Sequence, residues 1–165
     1  MTPTTCTVSG NTVTATAVAL CGIRASQAGD GNSAAAPQKL VLVNVIATLN
    51  VDASAVATRY HALTDGLIVM RFMKGLSGAA LTAGASVPGA TITDPVAIAR
   101  NLASMGMLLD IDGNGTIDPA TDGLLIMRYM LGLRGDALIA NALGTAPRAR
   151  STAAEIEAWL ATLMP

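Results

Sequence analysis

The sequence predicts an α+β protein, in which a small antiparallel β part is followed by an all-α pair of loop–helix repeats. Three observations predict this fold class. Residues 1–46 hold short runs rich in Thr and Val, whereas residues 47–165 repeat themselves with helical spacing. The chain has 165 residues, which is the length of one domain. It is 52% hydrophobic and 13% charged, and this composition favours a folded chain over disorder. We assign residues 47–107 to the first repeat and residues 108–165 to the second.

The charge and hydropathy of the chain exclude two classes of partner. Ten basic residues against eleven acidic ones leave a net charge of -1, which is too small to recruit nucleic acid or an anionic membrane. A membrane-spanning helix needs roughly 18 apolar residues. The longest apolar run, Leu40 to Leu49, contains Asn44 and reads as a buried strand. We therefore expect no nucleic-acid partner and no membrane span.

Short alternating segments predict the β part. Four strands are expected: Cys6–Ser9, Thr12–Ala17, Leu20–Ala25 and, after a loop over 27–37, a strand that begins at Leu40 and runs to Ile46. Four short strands are about half of an Ig-like sandwich, so apolar faces and unpaired edges would be exposed. Self-association through the last of these strands is one way to cover them.

Two cysteines, Cys6 and Cys21, flank this alternating segment. Their spacing allows one disulfide across neighbouring strands if the compartment is oxidising. A pair of buried free thiols fits the same spacing, so the sequence leaves both alternatives open. The N-terminus has neither a basic region nor an apolar region of a signal peptide, which leaves either a mature fragment or a cytoplasmic start.

The helical part is an internal repeat. Thr64–Leu81 and Thr121–Leu138 are identical at twelve of eighteen positions with a constant offset of 57. Each copy is followed by a second helix with a start signal, Asp94-Pro95 in one case and the capping pair Thr152 and Glu155 in the other. Apolar residues at helical spacing, such as Leu67 and Met70 in the first copy, predict facing stripes. Arg71 and Arg128, at equivalent positions, are expected to snorkel or to cap.

A run of acidic residues precedes the helix of the second repeat. Residues 110–122 hold four of the eleven acids and no basic residue, and unpaired carboxylates repel each other by about 1 kcal/mol per close pair in water. Oxygen-bearing residues at positions 1, 3 and 5, a Gly at 6 and an acid at 9 match the spacing of an EF-hand calcium loop. The predicted ligands are Asp110, Asp112, Asn114, Thr116, Asp118 and Asp122.

One position departs from the EF-hand pattern. The twelfth residue is Thr121, and the carboxylate follows one place later at Asp122. We expect the loop to bulge by one residue and still bring Asp122 to the metal. Calcium suits a flexible cage of oxygens better than magnesium does, and the absence of Cys and His from residues 110–122 argues against zinc and copper.

The equivalent loop of the first repeat is degenerate. It offers Asn50, Asp52, Ser54, His61 and Asp65, with three more residues between the first and last ligands. Three interpretations stay open. The loop is a second calcium site helped by a backbone carbonyl near Thr58 or Arg59, an empty vestige, or a transition-metal site that uses His61.

The stretch DIDGNGTIDPATDGLLIMRYMLGLRG resembles the dockerin-like calcium-binding repeats of bacterial extracellular multidomain proteins, and the resemblance covers roughly residues 47–165. The N-terminal CTVSGNTVTATAVALCGIRASQAGDGN is similar to the closing strands of a bacterial Ig-like repeat, shortened here. These resemblances imply an extracellular or cell-surface setting, calcium as the cofactor, and a helix face that binds a protein partner of the cohesin type.

The function that follows is a non-catalytic calcium-binding module, used for structural support or docking. Self-assembly into a dimer or fibre is the alternative. An enzyme is disfavoured because the chain has one His, no G-x-S-x-G elbow and no phosphate-cradling Gly loop.

Overall fold

A computed structural model describes residues 6–15, 20–44, 47–55, 57, 59–85, 89–145 and 147–165. The chain divides into two compact units, Met1–Ala47 and Thr48–Pro165. The architecture is mixed α+β, with two small antiparallel sheets in the first unit and six α-helices among the described residues of the second. None of the described helices has the length and apolar character needed to cross a bilayer.

The first unit consists of two β-hairpins among its described residues. Strand β1 (Cys6–Ser9) pairs with β2 (Thr12–Ala15), and β3 (Leu20–Gln27) pairs with β4 (Ala36–Asn44). A disulfide joins Cys6 of β1 to Cys21 of β3, with the two Cα atoms 5.8 Å apart. The structure therefore contains the disulfide and not the pair of free thiols. It ties the two hairpins together covalently.

The strand boundaries differ from those predicted. β3 extends to Gln27 and β4 begins at Ala36, four residues before Leu40. The intervening loop is shorter than expected because Asp30 closes a tight turn, in which its carboxylate accepts the N–H groups of Asn32 and Ser33 at 2.9 Å. Residues 16–17 of the second predicted strand and residues 45–46 of the fourth lie outside the described residues.

The prediction that Leu40 begins a buried strand is wrong for the part that is described. Leu40, Val41, Leu42 and Val43 are 52%, 47%, 58% and 42% exposed. Cross-strand partners share a face, and in the described part of this unit each sheet has only two strands, so little covers the apolar side chains.

Each repeat of the second unit runs through the same order of elements. A loop leads into a one-turn π-helix, a seven-residue helix, a one-turn helix and an eleven-residue helix. In the first repeat these are Ala62–Gly66, α1 (Leu67–Met73), α2 (Ala79–Thr82) and α3 (Pro95–Met105). In the second they are Pro119–Gly123, α4 (Leu124–Met130), α5 (Asp136–Ile139) and α6 (Ala153–Leu163).

The one-turn helices α2 and α5 were not predicted, and an arginine satisfies the carbonyls at the end of each. Arg71 donates through Nη1 to the carbonyls of Leu81 and Ala83 at 3.2 and 2.7 Å. Arg128 makes the equivalent bonds to Leu138 and Ala140 at 3.0 and 2.7 Å. These arginines cap, which was one of the two roles expected for them.

The predicted start signals of the long helices are present. The Asp94 carboxylate accepts the N–H of Val96 at 3.0 Å at the start of α3. At the start of α6, Thr152 and Glu155 form a reciprocal capping box. A 3₁₀ turn, Gly106–Leu109, ends at the carboxylate-rich loop of the second repeat.

The buried face of the two repeat helices is displaced from the predicted stripe. The fully buried side chains are Ile68 and Val69 in α1, and Leu125 and Ile126 in α4, whereas the methionines are half-buried. The π-helical turns explain the methionine positions. A Cβ on Gly66 would lie 3.1 Å from Met130 Sδ, and a Cβ on Gly123 would lie 2.9 Å from Met70 Sδ. The methionines of each repeat therefore pack on the π turn of the other.

Candidate metal centre

Three carboxylates converge at the start of the second repeat. Asp110, Asp112 and Asp122 each bring one oxygen within 4.8 Å of the others, an arrangement that could hold a metal ion. Their side chains are 4%, 0% and 0% exposed. Asp110 follows the 3₁₀ turn, and Asp122 lies in the π-helical turn, so two irregular helical segments bring the ends of the loop together. We name residues 110–122 loop two and residues 50–65 loop one.

Backbone N–H groups hold these carboxylates in place. Asp110 accepts from Gly113, Asn114 and Gly115 at 2.8–3.1 Å. Asp112 accepts from Asn114 at 3.1 Å and from Gly144 at 2.6 Å. Asp122 accepts from Ile111 at 2.6 Å, Asp112 at 3.3 Å and Asp118 at 2.8 Å. These donors carry dipoles and no formal charge, so they orient the carboxylates without neutralising them.

The extra residue of loop two is taken up by the π-helical turn. The N–H of Gly123 donates to the carbonyl of Asp118 at 3.2 Å, which is the five-residue spacing of a π-helix. Asp122 is thereby placed in the cluster although it lies at the thirteenth position of the loop. The predicted one-residue bulge has this physical form.

Burial raises the pKa of the Asp122 carboxyl above its usual value. The hydrogen bonds from Asp118, Ile111 and Asp112 lower it, and the negative charge of Asp112 raises it again. A nearby cation would stabilise the charged form of this carboxylate.

The other three predicted ligands are Asn114, Thr116 and Asp118, of which Asp118 is the one acid that does not belong to this cluster. The Asp118 carboxylate accepts the N–H of Ala120 at 2.6 Å and so caps the π turn. The N–H of Thr116 donates to Asn114 Oδ1 at 2.8 Å. Asn114, Thr116 and Asp118 instead line an open cleft of about 410 Å³ beside the cluster, together with Thr121, Leu143, Gly144 and Thr145.

A segment that sequence reasoning missed contacts loop two from outside. The N–H groups of Ala149 and Arg150 donate to the carbonyls of Gly113 and Asp112 at 3.1 and 2.9 Å. Gly113, at φ +71°, permits this approach, because a Cβ there would lie 2.7 Å from that of Ala149. No local pattern marks this segment, since its contacts with loop two span more than thirty residues of sequence.

Loop one repeats part of this arrangement. Asp65 accepts from the N–H groups of Val51 and His61 at 2.8 and 2.9 Å, as Asp122 does in loop two. Asp52 is 2% exposed, and its Oδ2 has no hydrogen-bond partner among the described residues. Burial, together with the charge of Asp52, raises the pKa of Asp65 to about 6. Two buried carboxyl groups therefore lie close together in this loop also.

The other predicted residues of loop one have different roles. The side-chain amide of Asn50 bonds to Ser54 through both its oxygen and its nitrogen, at 3.0–3.1 Å. His61 is exposed, and its contact with Asp65 uses its backbone N–H. Thr58 lies outside the described residues, and the N–H of Arg59 donates to the carbonyl of Ala55 at 3.0 Å.

Comparison with known proteins adds no relative: no family model, no curated protein and no solved structure matches this chain.

Proposed function

We propose that this protein is a non-catalytic calcium-binding module, in which calcium held by Asp110, Asp112 and Asp122 orders the loop–helix repeats. The observation that supports this function is the burial of three carboxylates whose described hydrogen bonds come from backbone N–H groups, with one longer contact of 3.4 Å from the Thr121 hydroxyl. Buried like charges repel strongly at low effective dielectric. A divalent cation would remove that repulsion.

The donor set favours calcium over other metals. All three carboxylates supply oxygen, and loop two contains neither Cys nor His, the ligands that zinc and copper prefer. Asn114 and Thr116 line the adjacent cleft and add oxygen atoms at the fifth and seventh loop positions. Calcium accepts six to eight oxygen ligands in irregular geometry, whereas magnesium requires a tight octahedron and retains water.

Loop one is proposed as a second, weaker calcium site. Asp52 Oδ2, buried and without a hydrogen-bond partner in the described part of the chain, supports this assignment together with the neighbouring Asp65. Two carboxylates in place of three reduce the charge that attracts the ion. An empty loop and a site that uses His61 are the alternatives, and titration separates the three.

Calorimetric titration tests the proposal. Calcium is titrated into the metal-free wild type and into Asp110→Ala, Asp52→Ala and Asp136→Ala, the last changing an exposed acid of α5 as a matched control. We expect two binding events in the wild type and the control, and the loss of one event in each loop variant. Zinc that binds the wild type more tightly than calcium does, but fails to do so in His61→Ala, would favour the histidine alternative. A wild type that does not bind calcium would overturn the function.

The setting and the family are part of the same proposal. The Cys6–Cys21 disulfide supports an oxidising, extracellular or cell-surface compartment. The repeated loop, π turn and helix support the dockerin-like assignment, and the two hairpins support a shortened Ig-like segment. A cohesin-type partner on the repeat helices is proposed on the resemblance alone.

Self-assembly is the second candidate function, and the exposed apolar residues of β4 favour it. Pairing of β4 with β4 of another copy would extend the sheet and place apolar side chains of the second copy beside Leu40 and Leu42. Light scattering coupled to size exclusion tests this, with Leu42→Lys as the disrupting variant and Leu63→Lys, a similarly exposed leucine of the second unit, as the control. A wild type that stays monomeric at high concentration would exclude self-assembly.

A further inference from the structure

We propose that Arg150 is a positioning residue that sets the calcium affinity of loop two, an inference that rests on the proposed calcium site. Its guanidinium donates through Nε to the carbonyl of Ile111 at 2.5 Å and through Nη2 to the carbonyl of Asp110 at 2.6 Å. Asp110 belongs to the carboxylate cluster, and Ile111 donates its own N–H to Asp122. One side chain therefore holds the backbone of Asp110, which carries one of the three carboxylates, and of Ile111, which donates to another, Asp122.

The guanidinium of Arg150 also contacts helix α6, through the ring of Trp159. Arg150 Cζ lies 4.2 Å from the centre of the Trp159 ring, and Trp159 Nε1 donates to the carbonyl of Leu108 at 3.2 Å. Leu108 belongs to the 3₁₀ turn that leads into loop two. A planar guanidinium stacked on an aromatic ring loses little further freedom when it forms hydrogen bonds. Arg150 thus connects a rigid helix to the beginning of the loop.

The first repeat shows which part of this arrangement is specific to Arg150. There the N–H groups of Thr91 and Ile92 donate to the carbonyl of Asp52 at 3.1 and 2.9 Å. Ile92 thus occupies the place that Arg150 has in the second repeat, and its side chain has no donor. The backbone contact of this segment with the loop is therefore common to both repeats. The Thr91 hydroxyl also donates to the carbonyl of Ala53 at 3.1 Å. The bonds of Arg150 to the carbonyls of Asp110 and Ile111 have no counterpart at Ile92, and they can be removed by substitution while the backbone contact stays.

Two effects of the guanidinium on calcium affinity oppose each other. Its positive charge repels an incoming cation, which would weaken binding. Its hydrogen bonds hold the metal-free loop in a shape that already presents the carboxylates, which strengthens binding because less order is lost when the ion enters. The bonds are short and reach the loop backbone directly, so we expect the second effect to dominate. Residues that orient metal ligands typically change affinity by about 10–100-fold when substituted.

The experiment compares Arg150→Met and Arg150→Lys with Arg134→Met. Arg134 is the matched control because it also stacks on a ring, that of Tyr129 at 3.5 Å, and donates to backbone carbonyls outside loop two. Calcium affinity and the rate of calcium release are measured by calorimetry and by chelator-triggered stopped flow. Trp159 is the only tryptophan of the chain and stacks on Arg150, so its fluorescence reports on loop two. The melting temperature is measured without metal and at saturating calcium.

We expect Arg150→Met to weaken the loop-two event by about 10–100-fold, with faster calcium release and a smaller calcium-induced rise in melting temperature. Arg150→Lys should keep only a part of the calcium affinity that Arg150→Met loses, because an ammonium keeps the charge but lacks the planar donor geometry of the guanidinium. Arg134→Met should bind as the wild type does. Arg150→Met could instead bind calcium as tightly as the wild type and lower the melting temperature equally without metal and at saturating calcium. That result would show a purely structural role and overturn this inference. Tighter binding would overturn it too, whereas a wild type that binds no calcium would overturn the proposed function itself.

Discussion

Asp65 and Asp122 accept the same pair of backbone hydrogen bonds, although the loops that they close differ in length by three residues. In each case one oxygen accepts an N–H from the start of the loop and the other accepts the N–H of the residue that precedes the π turn. The π turn and its carboxylate are therefore the constant part of the repeat. The residues in between can vary in number and in metal-binding strength.

Removal of calcium should lower the stability of the repeats. A ligand at a hundred times its dissociation constant stabilises the folded state by about 2.7 kcal/mol, which corresponds to roughly 10 °C in melting temperature for a unit of this size. Thermal melts in 1 mM calcium and in EGTA measure the shift. Asp122→Asn should show a smaller shift than the wild type, because only the weaker loop one is left to bind calcium, and a wild type without a shift would contradict the linkage.

The order of the elements could be predicted because its signals are local. The capping pair Thr152 and Glu155 and the Asp94-Pro95 start each act within one helical turn. Exposed apolar faces were expected for half of a sandwich, whereas the interpretation of Leu40–Leu49 as a buried strand failed, since a strand's apolar pattern does not say whether a second layer exists. The helices α2 and α5 were missed for a related reason, because their last carbonyls are satisfied by arginines ten or more residues away in sequence.

The candidate site likewise has residues that could be predicted from the sequence and residues that could not. Asp110, Asp112 and Asp122 could be recognised because their spacing resembles that of a known loop. That Asp118 lies outside the cluster could not, because it depends on the role of its carboxylate as a cap of the π turn. Gly144 and Arg150 carry no local signal. They reach loop two only when the chain folds back over it.

The metal-free protein should become more stable as the pH falls from 7.5 to 5.5. The pKa of Asp65 is about 6 in the folded state and lies above its ordinary value of 3.8, so between these values the folded state binds more protons than the unfolded state. The stabilising contribution is complete below the ordinary value and is lost as the pH rises through about 6. Urea midpoints after metal removal measure it.

Asp65→Asn is the control for this pH dependence, since an amide does not titrate. Its urea midpoint should change less between pH 7.5 and 5.5 than that of the wild type. The calcium affinity of the wild type should decrease as the pH falls from 7.5 to 5.5, because protons compete with the ion for the same oxygens. A wild-type midpoint that decreases on acidification over this range would contradict the assignment.

Gly144→Ala should weaken calcium binding by several-fold. A Cβ at this position would lie 2.0 Å from Asn114 Nδ2 and 3.1 Å from Asp112 Oδ2, so the Asn114 side chain must move away from the cleft. Calorimetry measures the affinity, and Gly135→Ala cannot serve as a control because its φ of +58° adds backbone strain. Ala140→Ser, on the exposed surface, is the better comparison. Equal affinities of Gly144→Ala and the wild type would show that Asn114 does not bind the ion.

Reduction of the Cys6–Cys21 disulfide should destabilise the first unit and leave calcium binding unchanged. The two cysteines are 15 residues apart, and closing a loop of that length stabilises a fold by about 3 kcal/mol in the chain-entropy model. Two hairpins with exposed apolar residues have little other stabilisation. Limited proteolysis of Cys6→Ser/Cys21→Ser should therefore cut within residues 6–44 much faster than in the wild type, while the calcium isotherm stays the same. Cleavage that is no faster would show that the hairpins are held together without the disulfide, and a changed isotherm would show that the first unit influences the calcium loops.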